Sequence, residues 1–468
     1  MAVHIYNSLT KRKEEFIPLK GRTVNMYTCG VTVYDVCHIG HARSLYVFDM
    51  IRRYLKYRGF KVNFVRNITD VDDKIINKAN ELNKKSEEVS QANIEAYYQD
   101  LKALHIDTAD QEPQATRNIP EMIEHIQGLI DKGYAYAAGG DVYFSVRKFP
   151  EYGKLSGQSI EKMIDAVRIE KDLSKKDPLD FALWKKSKDN EPFWDSPWGR
   201  GRPGWHIECS VMSLKHLHCE TLDIHAGGRD LIFPHHENEI AQSEALSQKP
   251  FAKYWIHHGL LTINGQKMAK SLGNFITVSD ILKKYTPDEL KLFFLSSHYA
   301  SPVDFTEQKM EESRKALQKF DILFWKTAEV LKDQNIKSSS VVNFVEEAKN
   351  NFLAAMDDDF NTPQGLAALF DLINETNKLL SKDKKTASDI AAIDQAVSLV
   401  EELAKNIFGL FTAETEKILS EELEDILNDR KKSRQNKDFK RSDELRDVLK
   451  KKGVIVEDTK EGQVWRWA

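Results

Sequence analysis

Residues 23–68 read TVNMYTCGVTVYDVCHIGHARSLYVFDMIRRYLKYRGFKVNFVRNI. Thr23–Thr28 is short, rich in β-favouring side chains and closed by Cys29-Gly30, which reads as a strand and its stop. From His41 to Tyr57 the apolar residues recur at helical spacing, and Gly59 just beyond suits a helix end. Lys61–Ile68 returns to strand character. Strand, helix and strand in this order make one unit of a parallel, doubly wound α/β sheet. Ligands of such sheets bind beyond the carboxyl ends of the strands, where Cys29 and Thr69-Asp70 would both lie.

Between that first strand and helix stands His38-Ile39-Gly40-His41. A helix N-terminus favours phosphate through its backbone N–H groups and its dipole. Gly40 would let an adenine or ribose approach, and two imidazoles could donate hydrogen bonds to charge developing on an α-phosphate. Alone, His-x-Gly-His is an easy coincidence. Far along the chain, Thr262–Asn274 (TINGQKMAKSLGN) reads as a strand, an Asn264-Gly265 turn and a polar loop ending at Gly273. Lys267 and Lys270 on that loop could close over a triphosphate and neutralise departing pyrophosphate. Found together in this order, the two motifs point to ATP-dependent adenylate formation.

A third cluster has the look of a metal site. In FPHHENEI (233–240), Pro234 suits a first helical turn, and His235 and Glu239 then share one face at i,i+4 while His236 and Glu237 point elsewhere. Cys29 and Cys209 are candidate thiolates, although buried cysteines and capping glutamates are common and the long separation between them carries no signal.

Glu81–Leu104 and Pro120–Lys132 read as amphipathic helices, the second stopped by Gly133, and Asp141–Val146 as a strand. Lys171–Arg202 mixes prolines, glycines and tryptophans and reads as a loop-rich connector. A strand at Leu222–His225 leads to a helix beginning near Pro234. Because the nucleotide motifs lie on both sides of it, 117–202 is expected to be an insertion into one catalytic fold made of 1–116 and 203–306. Residues 307–412 read as a helical bundle, with helices at Val345–Met356 and Pro363–Leu380. Residues 413–468 read as a small separate module, helices followed by strands at Val454–Val456 and Gln463–Trp467.

The bulk numbers narrow the class. The chain has 468 residues, 41% of them hydrophobic and 30% charged, as in soluble globular proteins of several domains. Apolar runs such as Leu292–Leu295 are too short to cross a bilayer, and the start MAVHIYN lacks the basic and apolar regions of a secretion signal. Four cysteines (29, 37, 209 and 219) are too few for a disulfide framework, so a cytoplasmic home is expected. A net charge of −4 gives no global pull on nucleic acid. One local patch does: Arg430–Lys452 carries eleven Lys/Arg against four Asp/Glu, just after the acidic stretch 420–429. A solvated helix face is the plain alternative for such a patch.

The two ATP motifs resemble the HIGH and KMSKS signatures of class I aminoacyl-tRNA synthetases, which implies a Rossmann-type catalytic domain; Ala269 stands where the second signature usually has serine. MYTCGVTVYDVCHIGH (26–41), VRNITDVDDK (65–74), GRPGWHIECS (201–210) and Asp223–Ser243 further resemble cysteinyl-tRNA synthetases, and the similarity runs through the whole chain. That resemblance implies one Zn²⁺ held by Cys29, Cys209, His235 and Glu239 with the thiol of L-cysteine bound to it. It also implies Thr69, Trp205 and His225 in the amino-acid pocket, Lys270 on ATP, and Mg²⁺ with the nucleotide. Zinc prefers sulfur to a serine hydroxyl, and specific polar contacts discriminate by factors on the order of 10⁴, so the short insertion need not edit. Cys37 and Cys219 are left as structural, and His257-His258 as packing or hydrogen-bonding residues.

The resemblance gives the basic module an anticodon-reading role, with Arg434, Phe439, Asp443, Asp458 and Trp465 as the contacts to tRNA(Cys); Phe439 replaces the larger Trp of some members. The expected reaction is attack of the cysteine carboxylate on the α-phosphate of ATP, then transfer to the tRNA terminal 2′-OH, by a monomer with no membrane partner. A relative passing the same adenylate to an amino sugar would keep the ATP and metal motifs but has no need of the basic module.

Overall fold

The computed structural model describes residues 2–160, 174–332, 342–412, 421–459 and 462–467. Its centre is a four-stranded, all-parallel sheet in the order Ala252–His258, Leu222–Gly228, Thr23–Thr32, Lys61–Thr69. These strands are buried on both faces, which is why they read as nearly continuous apolar runs. From Thr23–Thr32 the chain leaves in one direction to Lys61–Thr69, and the later strands fill the other side. The carboxyl ends of the two middle strands therefore frame a crevice at the reversal point.

The first strand runs four residues past its expected stop. Its register against Lys61–Thr69 slips between Thr28 and Val31, so Cys29-Gly30 is a bulge inside the strand. A side chain at Gly30 would put Cβ 1.6 Å from the carbonyl oxygen of Asn67, so only glycine fits the bulge. The following helix, Ile39–Tyr57, buries one face on the sheet and stops where Gly59 takes φ +82.

Three other expectations are corrected. Glu81–Leu104 is not one helix: Asp73–Leu82 and Ser86–Ala103 are separated by Asn83, whose left-handed φ of 56 ends the first. The connector at 171–202 is more regular than its composition indicates. Phe181–Lys186 and Gly201–Pro203 complete a four-stranded antiparallel sheet with Ala135–Ala138 and Asp141–Phe144, and its residues 171–173 lie outside the described ones. The helix near Pro234 begins later, at Glu237; Ile232–His236 forms a wider turn interrupted by Phe233 in extended geometry.

Helices Glu307–Leu331, Asn343–Asp357, Thr362–Leu380 and Ala387–Asn406 follow the catalytic sheet. They pack onto the first helix, where Tyr54 donates to Asp357 (2.6 Å) and Tyr46 to the Phe408 carbonyl (2.8 Å). The last module is a helical pair, Glu421–Gln435 and Phe439–Lys451, followed by a hairpin of Val454–Thr459 and Gly462–Trp467 around Leu423, Leu427, Leu449, Val454 and Val456. Among the described residues no helix is long and apolar enough to cross a membrane.

Candidate functional site

At the crevice, four elements bring Cys29, Cys209, His235 and Glu239 together with all their ligand atoms within 4.8 Å of one another. Cys29 enters from the strand bulge and Cys209 from the second turn of helix Trp205–Leu217. His235 comes from the wide turn and Glu239 from the helix after it. The two sulfurs are 3.8 Å apart, Cys209 Sγ is 3.5 Å from His235 Nε2, Cys29 Sγ is 3.5 Å from Glu239 Oε1, and His235 Nε2 is 3.0 Å from Glu239 Oε1. A tetrahedral ion with the usual zinc bond lengths needs edges of about 3.8 Å between sulfurs and about 3.3–3.6 Å otherwise. Three of these four edges match such an ion, and the His235–Glu239 pair sits closer than its edge, so the donor set fits with a small outward movement of one of the two. Burial pushes both thiols above their ordinary range and His235 well below its own, as expected for ligands packed in a dry site.

His236 also turns inward, contrary to its expected outward direction. The extended geometry at Phe233 breaks the regular helical spacing that would have carried it away. Its Nε2 lies 3.3 Å from Cys29 Sγ, and Cys29, His225, His236 and Glu239 form a second overlapping donor set. Its Nδ1 is 2.8 Å from His257 Nε2, and His257 Nδ1 is 2.8 Å from Ser8 Oγ. His257 thus has the hydrogen-bonding part expected of it, and burial holds it neutral at a pKa of about 3. Glu237 does point elsewhere, accepting from the amides of Leu155 and Ser156.

Of the residues expected in the amino-acid pocket, Trp205 and His225 touch the quartet directly. Trp205 stacks on His235 with ring centroids 3.9 Å apart, and His225 Nε2 lies 2.7 Å from Glu239 Oε2. Thr69 donates to Glu208 (2.8 Å) and receives Asn67 Nδ2 (3.2 Å), two partners that sequence reasoning missed. Asn67 could have been noticed, since it precedes Thr69 by two in a strand and shares its face. Nothing in the sequence marks Glu208. His206, also missed, holds His235 through an Nδ1–Nδ1 contact of 2.8 Å.

The ATP motifs meet at one place. His38 caps its own helix: its Nδ1 accepts from the amides of Gly40 (3.1 Å) and His41 (3.3 Å), while His41 Nδ1 faces the His38 amide at 3.3 Å. Those amides are therefore taken up and are not the free phosphate donors expected from the sequence. The rings stack at 3.7 Å, and with both Nδ1 atoms accepting, both Nε2 atoms carry the proton. Burial lowers their pKa values to about 4 and about 3, so the donors are neutral. Gly40 is needed for a reason closer to hand than adenine: its Cβ would sit 2.9 Å from the His38 ring.

Loop 267–273 lies against this helix start, with Met268 Cε at 3.5 Å from the position of a Gly40 Cβ and Phe275 edge-on to His38 at 5.3 Å. Lys270 is ion-paired with Asp35 and sits 5.0 Å from the Phe275 ring centre; Lys267 is exposed. The buried Arg43 guanidinium ties this helix to the base of the loop through the carbonyls of Gly259 (2.7 Å), Leu260 (2.9 Å), Tyr299 (3.2 Å) and Ser301 (2.6 Å).

In the terminal module, Arg430 is fully buried and forks onto both carboxylate oxygens of Asp458 (3.0 and 2.8 Å), while Arg434 Nε reaches the same carboxylate at 3.0 Å. The Arg430 guanidinium holds Asp458 below the usual carboxylate range. The expected base contact of Asp458 therefore competes with two internal partners. Phe439 is exposed with Arg434 5.8 Å from its ring centre, and Asp443 pairs with Arg446 at 3.1 Å. Trp465 stands opposite Val456 in the hairpin, and its side chain lies outside the described ones.

A parallel sheet of this topology with the two ATP motifs joined across its carboxyl edge defines a class I aminoacyl-tRNA synthetase, an ATP-dependent ligase. The family model for the tRNA synthetases class I (C) catalytic domain matches residues 15–315, that of the DALR domain 351–412, and that of the cysteinyl-tRNA ligase anticodon binding domain 417–466. Cysteine–tRNA ligases of Persephonella marina and a Sulfurihydrogenibium species are 50% and 51% identical, each aligned over 100% of both chains, and that of Aquifex aeolicus is 47% identical over 100% of this chain and 99% of its own. The chain belongs to the cysteine–tRNA ligase family. Its fold is shared with the methionyl-tRNA synthetase of Mycobacterium tuberculosis in complex with methionyl-adenylate (TM-score 0.66, 13% identity, 83% of this chain and 92% of that one). A putative arginyl-tRNA synthetase of Campylobacter jejuni has the same fold (TM-score 0.58, 16% identity, 86% and 95% covered).

Proposed function

We propose that this chain ligates L-cysteine to tRNA(Cys) through cysteinyl-adenylate, as a cytoplasmic monomer, and that Cys29, Cys209, His235 and Glu239 hold one zinc ion that selects the substrate thiol. The observation that carries this is the set of four donors from separate elements whose ligand atoms all lie within 4.8 Å of one another. In the overlapping set, His236 Nε2 is 4.0 Å from Glu239 Oε1, longer than a tetrahedral edge, and His225 is hydrogen-bonded to Glu239. Those two histidines fit better as outer partners that orient Cys29 and Glu239. When bound, zinc supplies a soft Lewis acid that takes a thiol as thiolate and gives serine or alanine no equivalent contact.

The chain's own groups do the rest. Thr69, Trp205 and His225 enclose the amino acid and exclude water from the quartet. The Nε2–H donors of His38 and His41 face charge developing on the α-phosphate as the cysteine carboxylate attacks it. Lys267 and Lys270 neutralise the departing pyrophosphate, with Mg²⁺ travelling on ATP. The tRNA ribose 2′-OH then takes the cysteinyl group and AMP leaves. Positioning and electrostatics supply the acceleration, and no side chain is assigned as a general base. Residues 413–468 read the anticodon through Arg434, Phe439, Asp443, Asp458 and Trp465, Asp458 also holding Arg434 in place. The domain limits 1–116, 117–202, 203–306, 307–412 and 413–468 belong to the same reading.

Metal analysis paired with ATP–pyrophosphate exchange tests it. One zinc per chain is expected, with exchange that requires cysteine and ignores serine and alanine. Zinc-free protein with full exchange, or serine supporting exchange as well as cysteine, would overturn the metal's role.

A further inference from the structure

Lys74 carries a charge that no neighbour answers, although the stretch before it, Asp70-Val71-Asp72-Asp73, is acidic. Each of those acids is committed elsewhere. Asp70 accepts from the amide (2.9 Å) and hydroxyl (2.6 Å) of Thr116. Asp72 caps the Lys74 amide at 2.9 Å, and Asp73 pairs with Lys185 (2.6 Å) and Arg202. Among the described residues Lys74 Nζ reaches no carboxylate and stands 5.3 Å from the ring centre of Tyr34. A ring face steadies an ammonium without neutralising it. The next residue, Asp35, holds Lys270, and the His38–His41 helix start follows. Burial first, then the charges of His38 and Lys74, hold His41 at a pKa of about 3, which puts the ammonium near that ring. Lys74 follows the strand at one edge of the sheet, Lys61–Thr69, and loop 267–273 follows the strand at the other, Ala252–His258. Cations from both edges thus converge on one short turn beside the two histidines.

We infer that Lys74 is a further catalytic residue, contacting the α-phosphate of ATP, while Lys267 and Lys270 serve the pyrophosphate. The inference rests on the proposed adenylate-forming reading of this crevice. The division follows from the chain of phosphates. A carboxylate oxygen bonds to the α-phosphorus as the bond from that phosphorus to the bridging oxygen breaks, and the electron pair leaves with pyrophosphate. The α-phosphate is therefore the one next to the amino acid, and the other two extend away from it. Lys74 lies five residues past Thr69, on the amino-acid side, and the loop lies opposite. The two sites also differ in when they are needed. Pyrophosphate departs, so its cations sit on a loop that can release it. The α-phosphate keeps a negative charge in the adenylate, so its cation belongs on a regular helix, Asp73–Leu82.

The test separates the phosphates. In Lys74→Met the kcat for pyrophosphate exchange should fall about 10- to 100-fold, as for a lost charge-assisted hydrogen bond in the transition state. The KM values for pyrophosphate and for cysteine should stay within about twofold. Inhibition by AMP, which carries the α-phosphate alone, should weaken about fivefold, and inhibition by adenosine should not change. Lys270→Ala should do the reverse, raising the KM for pyrophosphate and leaving AMP alone. Lys74→Arg keeps the charge and should lose clearly less than the methionine variant. A raised KM for pyrophosphate in Lys74→Met would place Lys74 with the loop. A raised KM for cysteine with AMP unchanged would place it on the substrate carboxylate, and normal exchange with impaired tRNA charging would place it on the RNA end. Each of these outcomes, or an arginine variant no better than methionine, overturns the inference. Wild-type protein without cysteine-dependent exchange would instead remove the reading on which it rests.

Discussion

Cys209, His235 and Glu239 are at most 1% exposed, whereas the Lys270 side chain, proposed to serve the same reaction, is 57% exposed on a loop. The first group hangs from two helices and a turn, with partners such as His206, His225 and Asn67 holding each donor. The loop is held by the Asp35 ion pair, an Asn274 side chain reaching the Lys267 carbonyl and Ala269 amide, and contacts with Gly40 and Phe275. The contrast follows from what each part must recognise. A one-methylene side chain offers little area, so discrimination needs donors fixed before the substrate arrives and kept dry. A triphosphate carries charge enough to be gripped by exposed lysines, and its pyrophosphate must be released afterwards.

Replacing Cys209 with Ser should break the buried half alone. Zinc content should fall well below one per chain, and kcat/KM for cysteine in exchange should drop on the order of 10³, while ATP binding persists. Unchanged zinc stoichiometry would remove Cys209 from the ligands. Lys270→Ala addresses the exposed half. It should lower kcat for exchange on the order of 10² with KM for cysteine held within about twofold. A parallel rise in that KM would show that the loop also shapes the amino-acid pocket, and the division drawn above would fail.

The same contrast explains what could be read from the sequence. Strand, helix and strand over residues 23–68 were legible because their apolar periodicities are local. Pairing of Phe181–Lys186 with Asp141–Phe144 is not local, so that strand reads as part of a connector in the sequence. Asn83 ends a helix by adopting a left-handed backbone within an otherwise helical pattern. On the exposed side, motif spacing was enough to find Lys267 and Lys270. On the buried side, i,i+4 spacing found His235 and Glu239, but the wide turn that aims His236 inward has no periodic signature. Thr69, Trp205 and His225 came from family resemblance rather than from any local pattern. Glu208 meets Thr69 across 139 residues of chain, and only the folded structure brings that contact into view.

Asp35→Asn sharpens the account of the loop. The carboxylate now occupies Lys270, so a triphosphate must compete for that ammonium. An exposed pair of this kind is worth about 1 kcal/mol or less. Removing it should lower the KM for ATP by about two- to fivefold and leave the KM for cysteine alone. A rise in the KM for ATP would mean that Asp35 serves the nucleotide directly, for instance through its magnesium.

The smallest effect concerns His38 and His41, which belong to the ATP half but share the burial of the metal half. Their folded pKa values, about 4 and about 3, lie below the roughly 6.5 of an unfolded histidine. A depressed value contributes stability in full above pH 6.5, and that contribution is lost as the pH falls toward 4 and then 3. His41→Asn keeps an acceptor for the His38 amide and removes one of the two titrating rings. Thermal unfolding followed from pH 7 to pH 4 should show a shallower decline in the variant, by about 1–3 °C. Equal slopes would mean that burial does not shift His41, and a steeper decline in the variant would mean that His41 is already protonated in the folded protein at neutral pH. It would then stand as a cation beside Lys270, and the ATP end would bind phosphate by accumulated charge rather than by neutral, pre-aimed donors beneath a cationic loop.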